Sequence, residues 1–90
     1  IQTLIQCLED KDIRIRRRSA EALGHLHAIS GIPALLRLLE DQDWLTRIKA
    51  AQALKDMGTQ GMTALFTKDP HLSTEAYATS QHVLAMPRHP

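Results

Sequence analysis

One segment of the chain occurs twice, about 31 residues apart, and the two copies align without a gap. Residues 8–16 read LEDKDIRIR, and residues 39–47 read LEDQDWLTR. Further along, residues 19–23 (SAEAL) return as residues 50–54 (AAQAL). A fixed period of this size is typical of solenoids, in which each unit buries its apolar face against its neighbours. The repeat therefore predicts a solenoid, although it names neither a reaction nor a ligand.

Apolar residues recur with helical spacing through most of the chain, and no segment alternates like a strand. Asp12 and Asp43 are favourable N-caps for helices over about Ile13–Leu26 and Trp44–Met57. Further helices are predicted over about 1–9, 33–40, 62–67 and 70–85, with one break bracketed by Gly58 and Gly61 and an N-cap at Asp69. The pattern predicts six helices in three antiparallel pairs.

The composition predicts one small domain with an aliphatic core. The chain has 90 residues, of which 43% are apolar but only 3% aromatic, so Leu, Ile and Ala must fill the interior. We expect the domain to cover residues 1–86, with repeat turns near 9–12, 40–43 and 68–70 and a frayed tail over 87–90. Either the third unit is a terminal cap with a polar outer face, or the chain belongs to a longer chain or assembly. The second is favoured because the chain begins at Ile1 inside a predicted helix.

Helical phase predicts which side of each repeated helix packs inward. The predicted core positions of the first copy are Ile15, Ser19, Ala22, Leu23 and Leu26. Those of the second copy are Thr46, Ala50, Ala53, Leu54 and Met57. The opposite side of the first helix, which we expect to face solvent, carries Arg14, Arg18, Glu21 and His25.

Charge and cysteine content narrow the class of protein. A formal net charge of +1 favours neither nucleic acid nor an anionic membrane as a partner. Cys7 is the only cysteine, which excludes an internal disulfide, and no run of 18 apolar residues could form a membrane span. We expect a cytoplasmic protein without a membrane span.

The residue types needed for catalysis or metal binding are not grouped in the sequence. The five histidines lack the spacing of a metal site, since His25 and His27, for example, diverge on a helix. Cys7 fits a small packed hydrophobe better than a reactive thiol. We therefore predict no catalytic residue, no cofactor and no metal, and a protein that is not an enzyme.

The pattern of a turn with two aspartates, a helix arginine and an Ala-Leu pair resembles HEAT repeats. It is most similar to the short type first associated with phycocyanobilin lyases, clearly over residues 1–58 and weakly over residues 59–86. The resemblance implies an all-α, right-handed α-α superhelix of about three helix pairs, with the second helix of each pair lining the concave face. Two features depart from the pattern: Lys55 stands where many repeats have glycine, and Thr74-Glu75 stand in the region of the expected arginine.

Six residues occupy structural positions of the repeat according to the same resemblance. Arg16 and Arg47 are expected to reach the turn carboxylates of their own or an adjacent unit, because a planar guanidinium can bind carboxylate and carbonyl oxygens together. The carboxylates are those of Asp10, Asp12, Asp41 and Asp43.

The family serves mainly as interaction scaffolds, so we expect another protein as the partner. The predicted contact positions are outward residues of the inner helices: Arg14, Arg17, Arg18, Glu21, His25, Trp44, Leu45, Ile48, Lys49 and Gln52. The copies differ most informatively where Ile13 becomes Trp44 and Arg17 becomes Ile48. Trp44 could anchor a partner, or the apolar stripe it forms with Ile48 could pack against neighbouring helices.

Two alternatives remain at this point. The basic patch Arg14–Arg18 could bind the phosphates of nucleic acid, as in HEAT-like DNA glycosylases, although no aromatic residue accompanies it for base stacking. A lyase-type enzyme module is the second alternative, and it rests on the name of the similar repeats alone.

Overall fold

The computed structural model describes residues 1–66 and 74–85. In this part of the chain there are six α-helices, one short 3-10 turn at Ile29–Gly31 and no strand. The helices are α1 (Gln2–Cys7), α2 (Ile13–His25), α3 (Ile32–Leu38), α4 (Trp44–Asp56), α5 (Thr59–Phe66) and α6 (Thr74–Ala85). The predicted all-α solenoid is confirmed. The predicted turn at 68–70 and the tail at 87–90 lie outside the described residues.

Each of the two long repeated helices begins with the same arrangement of two aspartates. The first aspartate closes the turn: Asp10 Oδ1 accepts from the N–H of Asp12 at 2.8 Å, and Asp41 Oδ1 from that of Asp43 at 2.9 Å. The second caps the helix, because Asp12 accepts from the N–H of Arg14 and Asp43 from that of Thr46. Both predicted N-caps are confirmed, and each satisfies a backbone donor that the first helical turn leaves unpaired.

The helices form two layers. In the inner layer α2 packs against α4 and α4 against α6, while α1 packs on α2, α3 on α4, and α5 on both α3 and α4. Contacts between α2 and α4 advance together along both helices, from Arg17 beside Asp43 to Gly24 against Ala53. These two inner helices therefore run in the same direction, as successive units of a solenoid must.

The core is aliphatic, as the composition predicts. Leu23, Leu35, Leu39 and Leu54 are fully buried, and small alanines between them allow the helices to approach closely. Full burial of one such leucine contributes about 1.5–3 kcal/mol to folding. The core is continuous across the inner helices, so each unit is held chiefly by its neighbours.

The predicted inward side of α2 is wrong in part. Ser19 and Leu23 are buried, but Ile15 is 38% exposed and Leu26 is 57% exposed. All five positions predicted for the second copy are buried, namely Thr46, Ala50, Ala53, Leu54 and Met57. The difference arises because α4 lies between two inner helices, whereas α2 has a described inner helix on one side alone. Helical phase identifies an apolar side but not the number of neighbours that cover it.

Two glycines lie where one helix packs against the backbone of another, and a third marks a break. A Cβ at Gly24 would lie 2.8 Å from the Cα of Ala53, so the close packing of α2 on α4 requires glycine there. Gly61 was expected to mark a break but lies buried within α5, where a Cβ would collide with the carbonyl oxygen of Leu54. The break is at Gly58, whose φ of +76° favours glycine.

Candidate protein-binding face

The repeated arginines are bound to the turns, and Arg16 joins two units. Arg16 Nη1 donates to the carbonyls of Asp10 (2.7 Å) and Lys11 (3.2 Å). Its Nε lies 2.9 Å from Asp41 Oδ2 of the next unit, and its Nη2 donates a long hydrogen bond of 3.5 Å to Asp41 Oδ1. This is the role expected from the repeat pattern.

Arg47 repeats only half of that arrangement. Its Nη1 donates to the carbonyls of Asp41 (2.8 Å) and Gln42 (3.2 Å), as Arg16 does in its own turn. Its Nε donates to the hydroxyl of Thr79 on α6 at 3.2 Å instead of pairing with a carboxylate of the described residues. The expectation of a carboxylate partner is therefore not met for Arg47 in this part of the chain.

Arg17 links α2 to the start of α4 and is not an outward contact residue. Its Nη2 and Nε lie 2.7 and 3.1 Å from Asp43 Oδ2. The hydroxyl of Thr46, 2.7 Å from the same oxygen, and then Arg17 lower the pKa of Asp43 to about 2. Sequence reasoning missed this pair because 26 residues separate the partners. Comparison of the two copies could have indicated the pair. Arg14 binds Asp12 in the first copy, whereas the equivalent residue of the second copy is Leu45, so Asp43 lacks this local partner.

Ile48 is also not available to a partner, which corrects its assignment to the contact face. It is 5% exposed, and Ala51 on the same stripe is fully buried. The stripe packs inward because α4 contacts both α2 and α6. Only its first residue, Trp44, emerges at the helix start, with 56% of its surface exposed.

The remaining predicted contact residues form two rows on one side of the inner layer. Arg14, Arg18, Glu21 and His25 are exposed on α2, and Leu45 is 39% exposed on α4 with half-buried Lys49 and Gln52 beyond it. Lys49 Nζ lies 3.2 Å from Glu21 Oε1. This ion pair places the two rows side by side on the same face.

Trp44 opens a groove between α4 and α6. Its ring centroid lies 6.1 Å from that of His82, with the ring planes tilted by 53°. The groove has a volume of about 320 Å³ and is lined by Trp44, Arg47, Ala78, Thr79 and His82. The sequence did not point to His82 because its neighbour Trp44 is distant along the chain. We name the exposed rows and this groove together the Trp44 face.

Most of the basic patch is neutralised by ion pairs. Arg14 pairs with Asp12 at 3.0 Å, Arg16 with Asp41 and Arg17 with Asp43, whereas Arg18 forms no ion pair with the described residues. The side-chain hydrogen bond from Arg14 also lowers the pKa of Asp12. Three of the four arginines are thus used to hold turns and units, which leaves a mildly basic surface.

The described residues offer no grouping of three His, Cys, Asp or Glu side chains that could hold a metal ion. Cys7 is half-buried on α1. None of the six helices within these residues is long and apolar enough to cross a bilayer.

Comparison with known proteins places this architecture in a family. Searches of curated proteins and of solved structures gave no match. A family model described as HEAT repeats matches residues 1–80. HEAT repeats generally serve as scaffolds for protein interactions. With a match over most of its length and an all-α solenoid structure, the chain belongs to the HEAT-repeat family.

Proposed function

We propose that this chain is a protein-interaction module that binds its partner on the Trp44 face. The observation that carries the proposal is the exposure of Trp44, 56% of whose surface is open on an inner helix in a chain with 3% aromatic residues. Tryptophan is among the residues that contribute most to binding when a partner buries them. A cytoplasmic location is part of the same proposal.

The surroundings of Trp44 favour a partner that brings an apolar side chain. Leu45 is exposed on the adjacent row, and Ala78 lines the opposite side of the groove. The ring of His82 covers one side of Trp44 and leaves the remainder open. An apolar side chain placed here would remove both Trp44 and Leu45 from water, which supplies the main driving force for association.

The charges beside this anchor favour an acidic partner. Arg18 has no ion pair with the described residues, and the side chain of Arg14 is 78% exposed despite its contact with Asp12. Both lie in the row beside Leu45 and Lys49. We therefore propose an acidic protein segment with at least one large apolar residue, because its carboxylates would complement this row.

Site-specific cross-linking tests this proposal. Leu45 is replaced by photoreactive benzoylphenylalanine in one preparation, and Arg37, exposed on α3 of the other layer, in a matched control. We expect a protein cross-linked from position 45 and not from position 37. Trp44→Ala should then weaken the affinity of that protein at least tenfold, or about 1.4 kcal/mol, while Arg37→Ala should not. Equal cross-linking from both positions, or an unchanged affinity, would overturn the proposal.

Nucleic-acid binding is less well supported, because three of the four clustered arginines are engaged in ion pairs. Titration with duplex DNA at 50 and 200 mM salt separates the two functions. A phosphate-binding surface would lose affinity steeply over this range. We expect weak binding that does not depend on Trp44.

A further inference from the structure

The side of α2 away from α4 exposes an apolar strip. Ile15 is 38% exposed, Leu26 is 57% exposed, and Ala22 between them is half-buried. These three residues lie on one arc of the helix, and we name them the α2 end face. They are the positions that helical phase alone assigns to a core.

The equivalent residues of the next unit are covered. Counting forward by the repeat of 31 residues, Ile15, Ala22 and Leu26 correspond to Thr46, Ala53 and Met57, which are 0%, 2% and 5% exposed. Ala53 is covered by the preceding unit itself, since Gly24 of α2 packs directly against it. The α2 end face therefore consists of the positions that form the interface between units in the next copy, but no described helix covers it.

The charged half of that interface is incomplete in the same way. In the second unit, Asp41 and Asp43 form ion pairs with Arg16 and Arg17 of the unit before. Their equivalents in the first unit are Asp10 and Asp12. Asp10 forms no ion pair with the described residues, and Asp12 pairs with Arg14 of its own exposed helix start. What is missing beside the apolar strip is a pair of arginines.

We propose that the α2 end face binds a further HEAT-type helix pair whose inner helix carries arginines in the register of Arg16 and Arg17. The occupant would bury Ile15 and Leu26 and place its first arginine on Asp10, continuing the interface seen between α2 and α4. This inference does not depend on the Trp44 face.

A second copy of the chain fits this surface less well. Its own Arg16 and Arg17 are occupied by Asp41 and Asp43, and its Arg47 is bound to a turn and to Thr79. The third unit has no arginine in this register, because positions 78 and 79, one repeat beyond Arg47 and Ile48, are Ala and Thr. The charges on Asp10 and Asp12 therefore favour a unit whose inner helix carries arginines where α6 has none.

The test fuses a copy of residues 1–31 in front of Ile1 of the full chain, which repeats the spacing between the first and second units. Cys7 is replaced by Ser in both copies, and Leu26→Cys in the original unit reports burial through its rate of labelling by a thiol reagent. We expect labelling at least tenfold slower than in the unfused chain carrying the same substitution. The same cysteine placed in the added copy is the matched control, and it should label at the unfused rate.

A second fusion tests the register of the charges. Replacing both arginines of the added copy, Arg16→Gln and Arg17→Gln, should restore at least part of the labelling rate at position 26. A labelling rate at position 26 that is unchanged in the first fusion would overturn the proposal. Equal protection in the fusions with and without the two glutamine substitutions would overturn the requirement for arginines. Sedimentation of the unfused chain should show a monomer, whereas a dimer abolished by Leu26→Glu would identify a second copy as the occupant and contradict the proposal.

Discussion

Asp43 illustrates how one residue of the repeat can serve two units. Its carboxylate accepts from the Thr46 N–H at 2.8 Å and the Thr46 hydroxyl at 2.7 Å, and it pairs with Arg17 of α2, the inner helix of the unit before. Asp12 caps its helix in the same way but pairs with an exposed arginine of its own first turn. The two positions are equivalent in sequence and differ in what they hold together.

Replacing the two aspartates should therefore have unequal effects on stability. We expect Asp43→Ala to lower the free energy of unfolding by about 2–3 kcal/mol, because it removes both a helix cap and a charged hydrogen bond between units. Asp12→Ala is the control and should cost clearly less. Urea unfolding of both variants measures the difference, and equal losses would show that the pair with Arg17 adds nothing.

The lowered pKa of Asp43, about 2, also predicts a pH dependence. An unfolded aspartate titrates near 3.9, so the unfolded chain takes up this proton first as the pH falls. The stabilisation from Asp43 is complete above about pH 5 and is lost as the pH falls toward 2. After allowance for its partial exposure, this amounts to about 1–2 kcal/mol. Asp43→Asn should flatten the stability profile in that range; an unchanged profile would contradict the assignment.

Gly24 of α2 packs closely against Ala53 of α4. Gly24→Ala should destabilise the protein by about 1–3 kcal/mol, because its Cβ would lie 2.8 Å from the backbone of Ala53. Gly31→Ala is the matched control, since its Cβ would meet side-chain atoms alone, namely two Leu23 methyl groups at 3.4 Å and Ile5 Cγ1 at 3.8 Å. Thermal unfolding of the two variants compares them. A Gly24→Ala protein as stable as the control would mean that the helices are not in contact there.

At the level of elements, Lys55 helps to hold α6. It is 9% exposed, and its Nζ donates to the carbonyl of Val83 at 3.1 Å, near the C-terminus of α6. Carbonyls in the last turn have no partner within their own helix, so a cation there satisfies both a hydrogen bond and the helix dipole. This explains the departure from the repeat pattern, in which Gly24 occupies the equivalent position.

Lys55→Met keeps most of the buried side chain and removes the donor. We expect a loss of about 1–3 kcal/mol and faster hydrogen exchange of the α6 amides. Lys49→Met removes a partly exposed pair with Glu21 and should cost less than about 1 kcal/mol. If α6 exchanges equally slowly in both variants, Lys55 does not anchor it.

The sequence predicts elements better than the surfaces between them, for a physical reason. Caps and helical periodicity depend on residues within a few positions, so Asp12 and Asp43 were identified correctly. Burial of Ile48 and exposure of Ile15 depend on which helices lie on either side, and that information is absent from the periodicity of one helix. The pairing of Arg17 with Asp43 is of the same kind, since it follows from the stacking of units.

At the level of the whole molecule, the repeat positions that the copies share have a different role from those at which the copies differ. Residues that the copies share, such as Arg16 and Arg47, bind the turns and build the solenoid. Where Ile13 of the first copy becomes Trp44, the ring is open beside α6. The change from Arg17 to Ile48, in contrast, belongs to packing. Of the two differences that suggested recognition, only Trp44 lies where a partner could reach it.

Quenching of tryptophan fluorescence by acrylamide shows whether a partner covers Trp44, because Trp44 is the only tryptophan. We expect efficient quenching in the free protein, followed by strong protection when the protein captured from position 45 is bound. A Leu26→Glu variant, altered on the α2 end face, should show the same protection and serves as the control. Weak quenching in the free protein, or equal quenching with and without the partner, would contradict the claim that Trp44 anchors the interaction.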